Sequence, residues 1–468
     1  MHTTGGNNTA VGYKALEDNT TGAGNTGLGY IALNSNTTAN YNTAVGRQAL
    51  TSNTTGNNNC AFGHRSLEDN VSGSDNTAFG MYSFMDSTAS DNVGFGNYTG
   101  QLNTTGTYNT YVGRGSGSTN TTGSYNTAVG KSSLHANTAS TNTAVGYNTL
   151  ASNTTGSSNT AIGTSALTLN TTGTTNTALG AYVLDAQETA SNNTGVGYGC
   201  LTGNTTGSEN TSVGAYSLQA NTTGTNNTNL GYHSLGANTT GSFNVAIGRD
   251  ALDANTTASN NVAVGKSALT TNTTGYSNVA VGDASGLGIT TGNQNTCVGT
   301  HAGHDSTTGS NNLLLGNEAG RAGSPSGSLT TGSNSIVLGN NSIGDAHIKV
   351  DWTVSSDKRD KTDITPFIPG LSWITKLEPV TYRWDNRSWY DDGKPDGSKK
   401  QSQLCLGLLA QDELEVEKEH GFGDNSDNMI VTHVNEDGNY GMQYNKLVPI
   451  LINAVKELST KVAALEAK

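Results

Sequence analysis

Apolar and polar positions repeat with a period of 17 residues over most of this chain, beginning at Asn8. Each unit reads roughly N-T-A-V-G-x-x-A-L-x-x-N-T-T-G-x-x. An apolar residue precedes a marker glycine twenty times, from Gly12, Gly29, Gly46 and Gly63 to Gly299, Gly316 and Gly339. Two intervals are 16 residues (Gly80 to Gly96, Gly130 to Gly146), and the last stretches to 23. So short and regular a repeat predicts one solenoid coil per unit. The β-branched residues two apart, as in Thr43 and Val45, predict a short strand with that pair facing inward and the intervening Ala admitting another layer. Leu, Phe or Ile four residues after the marker predicts an inward anchor on a second strand. Where that position is Gly (Gly100, Gly117, Gly286, Gly303, Gly320), the core is expected to narrow. Asn stands four residues before the marker in 19 of 20 units, which predicts a stacked ladder of amides.

Composition sharpens the picture. The chain has 468 residues, 61 of them Gly, with 33% hydrophobic and 13% charged residues. Low hydrophobicity of this kind usually means disorder, but disorder does not hold a register through twenty copies. Residues 1–355 carry 26 charged side chains and residues 356–468 carry 33, so a nearly uncharged rod is followed by a charged module. A net charge of −13 without basic clusters argues against nucleic acid as a partner. No apolar run reaches 18 residues, so no membrane insertion is expected. The first repeat follows Met1 almost at once. Either the rod docks through its first coil or the chain is a fragment. The four cysteines (60, 200, 297, 405) lack metal or redox spacing and read as small buried residues. His301-Ala-Gly-His304-Asp305 is the nearest thing to a metal-ligand set, and isolated His pairs in turns rarely bind, so neither metal nor cofactor is expected.

Two or three inward apolar residues per coil are few against the entropy of ordering 17 residues, which favours a core shared among three chains. Coils such as Asn244-Val-Ala-Ile-Gly248 resemble the repeats of trimeric autotransporter adhesin heads, which are trimeric β-rolls. The residue after the marker glycine varies freely (Tyr13, Tyr30, Arg47, His64, Arg114, Lys131) and reads as solvent-facing; neutral drift accounts for such variation, and the sharper reading is a stripe of Tyr, Arg and Lys that touches surface sugars. The many N-x-T triplets match glycosylation acceptors but read better as ladder and turn chemistry.

Beyond Gly339 the repeat dissolves through a transition segment, 341–355. From Ser356 the chain resembles the intramolecular chaperone domain of phage tailspikes and tail fibres (peptidase family S74), also found in the myelin regulatory factor family. The resemblance rests on Ser356-Asp357 with Lys361 and Ile364, on Leu377-Glu-Pro-Val-Thr-Tyr-Arg-Trp384, on Gly407-Leu-Leu-Ala410-Gln411 and on the terminal helix from Tyr444 to Leu458. It implies a domain that trimerises, templates the upstream rod and then cuts itself free. Carried over, the scissile bond is Ser355–Ser356, with Ser356 as nucleophile and Lys361 as base, a single-turnover reaction without external substrate. Asp360 departs from the family's usual Leu, and a carboxylate there favours the charged base and slows cleavage. A spacing of i, i+5 is not one helical face, so the pair is expected on a turn. Val448, Leu451, Val455, Leu458, Val462 and Leu465 follow a and d heptad positions, predicting a short coiled coil within a helix over 444–467.

The expectation is a mainly β chain. A trimeric β-solenoid of about 20 coils (1–340), a rod on the order of 100 Å long, precedes a small α+β chaperone domain (356–468) ending in a coiled-coil helix. The expected function is a receptor-binding fibre of a phage virion recognising a host glycan or protein, with another tail protein as the candidate partner at its N-terminus. The alternative is a bacterial-type trimeric adhesin at the cell surface. A glycan-cleaving tailspike fits less well, because carboxylates in the rod are sparse and scattered.

Overall fold

The computed structural model describes residues 4–343, 346, 347, 349, 354–435 and 438–467. Of the expected transition segment, residues 344, 345, 348 and 350–353 lie outside the described residues. The chain forms two compact units, Met1–Asn295 and Thr296–Lys468.

The first unit is a β-solenoid with one three-residue strand per coil, from β1 (Thr9–Val11), β2 (Thr26–Leu28) and β3 (Thr43–Val45) to β17 (Val279–Val281). Neighbouring strands pair parallel and in register, Thr9 against Thr26, Ala10 against Gly27 and Val11 against Leu28, and each coil repeats this on the next. The second unit holds β18 (Thr296–Val298), β19 (Leu313–Leu315) and β20 (Ile336–Leu338), paired the same way.

The strand parity is opposite to the expected one. The middle residue points inward and is fully buried, as at Ala44, Ala61, Ala78, Ala128 and Ala161. The apolar residue before the glycine faces out: Val11 is 54% exposed, Leu28 45% and Leu230 50%. The interior of one coil is narrow and already holds a Leu, so the strand contributes a methyl group rather than a large side chain. That Leu is the anchor four residues after the marker, and Leu16, Leu33 and Leu50 are buried as expected. It does not sit on a second strand. The segment after the glycine is a turn, and these leucines have φ near +50° (Leu16 51°, Leu33 49°). The left-handed conformation costs a non-glycine residue about 1–2 kcal/mol. The turn recovers energy by bonding to the following coil, where Leu16 N–H donates to Ala32 O (3.1 Å) and Leu33 N–H to Ala49 O (3.0 Å). Nor does the core narrow at the glycines in this position, because rings fill the space: Phe84, the anchor of the preceding coil, at Gly100, and Tyr111, a strand residue, at Gly117.

Asparagines stitch the coils together in two columns. In the expected column the side-chain oxygen receives a backbone N–H of the next coil: Asn25 N–H donates to Asn8 Oδ1 (2.8 Å), while Asn25 Nδ2 donates to Ala39 O (2.8 Å). The amide-to-amide ladder runs mainly through the other column, most often the Asn of N-T-T-G, with breaks such as that at Gln187, where Asn170 Oδ1 has no partner. Asn36 Nδ2 donates to Asn19 Oδ1 (2.8 Å), Asn221 to Asn204 (2.7 Å) and Asn238 to Asn221 (2.8 Å). Asn19, Asn36, Asn221 and Asn238 are fully buried, so these triplets are structural. Cys200 and Cys297 are buried free thiols, while Cys60, expected inside, is only partly covered because it occupies an outward strand position.

In the second unit, after β20, the chain forms α1 (Leu371–Ile374), β21 (Val380–Tyr382), β22 (Cys405–Gly407), α2 (Ala410–Glu419), β23 (Thr432–Val434), β24 (Tyr440–Met442) and α3 (Leu447–Glu466). Trp373, Val431, Leu447 and Ile450 form its core, with Phe367, Leu377, Val416 and Phe422 packed around them. The hairpin β23–β24 is antiparallel, and Asn435 in its loop donates to the carbonyl of Ser326 in the last coil.

Candidate functional site: the C-terminal module

The chemistry-bearing residues of the module open it. Asp357 caps a 3-10 turn over Lys358–Asp360, accepting from Arg359 N–H at 2.9 Å. The turn reverses the chain enough to bring Lys361 back to Ser356, and Lys361 Nζ lies 2.7 Å from Ser356 Oγ. The pair therefore sits on a turn, as the i, i+5 spacing requires. Both side chains are exposed. The Arg359 guanidinium lies against Asp357 and holds its carboxyl below the usual carboxylate range. Among the described residues Asp360 forms no ion pair with Lys361. Ser355 is exposed beside this turn, so the Ser355–Ser356 bond is open to solvent.

The other motifs converge. Strand β21, within 377–384, pairs antiparallel with β22, which ends at Gly407; Val380 faces Gly407 and Tyr382 faces Cys405. Tyr444, which opens the terminal helical segment, accepts from Leu408 N–H at 2.8 Å. A Cβ at Gly407 would stand 2.7 Å from Tyr444 Oη, so glycine there permits the close approach of all three segments. Ala410 starts α2, and Gln411 in its first turn is exposed.

Two acids on α2 escape notice in the sequence because they look like a solvated helix face, yet they are buried. Glu417 accepts from the backbone N–H groups of Ile430, Val431 (2.9 Å) and Thr432 (3.1 Å) and from the Thr432 hydroxyl, tying α2 to β23. Glu413 accepts from Trp373 Nε1 at 2.8 Å, while its second oxygen has no partner. Burial raises its pKa, an effect the Trp373 hydrogen bond opposes.

Helix α3 has two apolar faces. Leu447, Ile450 and Ala454 are buried against the module, and Asn453 donates to Phe367 O (2.7 Å). The heptad positions Val448, Leu451, Val455, Leu458, Val462 and Leu465 are all exposed, leaving a second seam uncovered.

On the solenoid, the free-varying position after the marker glycine is part of an exposed ridge in which rings stack from coil to coil. Tyr13 and Tyr30 lie 5.3 Å apart, with Arg47 over the Tyr30 ring. His301 and His304 contact each other edge-on, and His304 Nδ1 lies 2.8 Å from Asp305. No group of three or more metal-ligating side chains occurs among the described residues, and no described helix is long and apolar enough to cross a membrane.

No curated protein matches the chain. Residues 356–422 match the family model described as the chaperone of endosialidase, of peptidase family S74, and the match begins at Ser356, the residue paired with Lys361. A β-solenoid of 17-residue coils is thus followed, over residues 356–422, by a chaperone-of-endosialidase domain, an arrangement of the fibre or tailspike type.

Proposed function

We propose that this chain is the receptor-binding fibre of a phage virion. It is a homotrimer whose solenoid folds on the template of the C-terminal module, which then detaches at Ser355–Ser356. The observation that carries the trimer is the pair of apolar seams left open by chain-internal packing. One is the column before the marker glycines, where the rings of Phe62, Phe79 and Phe95 stack on the outside of the sheet at 4.9 and 5.9 Å. The other is the heptad seam of α3. Contiguous exposed apolar surface of this extent marks an interface, and heptad spacing suits further copies of the same helix. The contact of Asn435 with the last coil supports templating, since it joins the module to the coil from which stacking would propagate.

Cleavage follows from the dyad. Ser356 Oγ attacks the carbonyl carbon of Ser355 as Lys361 Nζ takes the hydroxyl proton. The C–N bond breaks, its nitrogen receives that proton, and the chain is joined through an ester. Water then adds to the ester carbonyl, releasing a carboxylate at Ser355 and restoring the Ser356 hydroxyl with a free amine.

The test of templating is deletion of residues 356–468 before expression. Parallel stacking is slow and aggregation-prone without a nucleus, so the truncated chain is expected to be insoluble. Soluble truncated fibres formed as efficiently as from the full chain would remove the chaperone role.

A further inference from the structure

A short stack of rings in the first unit ends at a glycine. Tyr82 and Tyr98 stack at 5.3 Å, and the next residue in that column, Gly115, has no ring to continue the stack. The backbone does not demand glycine there. Gly115 has φ +66°, while Tyr98 and Ser132 hold the same position at +63° and +57°. A Cβ added at Gly115 would meet nothing within 4 Å. Its absence leaves a notch of about 470 Å³, walled by Tyr98, with Arg114 and Lys131 at its rim. That volume falls within the ~300–1,000 Å³ typical of small-molecule sites. Gln101, Ser118 and His135 supply polar groups to its lining, and Ser118 Oγ and His135 Nδ1 lie 2.6 Å apart.

The charge around the notch runs against that of the molecule. In a chain of net charge −13, no acidic residue occurs between Asp91 and Asp185, and the only formal charges in that stretch are Arg114 and Lys131. Both are exposed, and neither makes an ion pair among the described residues. Lys131 Nζ sits 5.6 Å from the centroid of the Tyr147 ring.

Resting on the reading of this chain as a receptor-binding fibre, we infer that the notch at Gly115 binds an acidic saccharide unit. The anionic group lies between Arg114 and Lys131, and the sugar ring packs on Tyr98. Two unpaired cations without a competing carboxylate select an anion, the guanidinium offering paired donors to a carboxylate or sulfate. An aromatic wall with a hydroxyl- and amide-bearing lining selects a sugar ring rather than a bare ion.

The test uses the full chain carrying Ser356→Ala, so that no cleavage intervenes, with its mass measured on the same sample. The probes are a hexuronate-containing tetrasaccharide, its counterpart with the carboxylates reduced to alcohols, a neutral tetrasaccharide bearing sulfate esters, and a single-stranded oligonucleotide, titrated calorimetrically. Binding of an acidic probe at least tenfold tighter than the reduced one is expected, and the better of the uronate and the sulfate ester names the anion. Gly115→Tyr continues the ring column as other coils do and should abolish binding while leaving unfolding unchanged. Arg114→Ala and Lys131→Ala should each weaken it at least tenfold. Equal binding of acidic and reduced probes, undiminished binding by Gly115→Tyr, or preference for the oligonucleotide would overturn the inference. A trimer that binds none of the saccharides overturns the inference and leaves the fibre reading standing. A monomer overturns the fibre reading whatever it binds.

Discussion

The ring of Phe84 occupies the space that a side chain at position 100 would fill. A Cβ at Gly100, where φ is +54°, would stand 2.4 Å from Phe84 Cε1. The next coil repeats the exchange, Gly117 facing the ring of Tyr111 at 2.5 Å, and the two rings stack at 5.7 Å. Large and small residues are therefore coupled across coils. Gly100→Leu alone should destabilise the solenoid by about 1–3 kcal/mol through overpacking, and Phe84→Ala by about 3–5 kcal/mol through the cavity it leaves. Gly100→Leu combined with Phe84→Ala should recover part of both losses. Denaturant midpoints of the four chains check this, and strict additivity would refute the coupling.

The buried amide ladder should behave as a cooperative element. Asn238 donates to Asn221 Oδ1 (2.8 Å) and to Gly241 O (3.0 Å), and accepts from Asn255 Nδ2 (2.9 Å). Asn238→Ala removes all three bonds, at about 1–3 kcal/mol for each group left unpaired. Hydrogen exchange should show lost protection in the adjoining coils, whereas the exposed Tyr232→Ala should leave it unchanged.

Glu413 makes the second unit sensitive to pH. Burial raises its pKa in the fold, so the folded state holds the proton more tightly than the unfolded chain. The stability this contributes is complete below the ordinary glutamate value of about 4.3 and is lost as pH rises through the raised one. Glu413→Gln keeps an acceptor for Trp373 Nε1 without the charge. The difference in unfolding temperature between Glu413→Gln and the parent chain should therefore widen in favour of Gln as pH rises from 4 to 7. A difference independent of pH would mean that Glu413 does not titrate in this window.

Cleavage should depend on the dyad and on its neighbour. Ser356→Ala and Lys361→Ala should each leave the chain whole without altering assembly, since both side chains are exposed. Asp360→Leu removes the adjacent carboxylate and should accelerate cutting. N-terminal sequencing after days at neutral pH should find Ser356 as the new first residue. A parent chain that stays intact would mean a retained module without peptidase activity.

The period, the place of each strand and the motifs of the C-terminal module were legible because each is a spacing, and spacing survives in a sequence. The strand parity was not. Val and Thr look like core residues, and only the consistent smallness of the middle position (Ala44, Ala61, Ala78) signals how narrow one coil is. The leucine turn was hidden because φ near +50° at Leu16 or Leu33 contradicts local preference and is imposed by bonds to the following coil. The second Asn column was masked by the N-x-T pattern, which resembles turn chemistry. Ser356 and Lys361 were identified by family resemblance and brought together by the fold, whereas Glu413 and Glu417 became visible only through burial. The notch at Gly115 left a trace in the stretch free of acidic residues from 92 to 184.

The exposed seams of the solenoid and of α3 call for partner chains. Light scattering of the purified Ser356→Ala chain under native conditions measures the assembly directly. Three times the mass of one chain is expected, with dissociation when Leu451 and Leu458 are both replaced by Asp. A single-chain mass, with Val11, Leu28 and Leu230 open to water in a stable soluble protein, would contradict it.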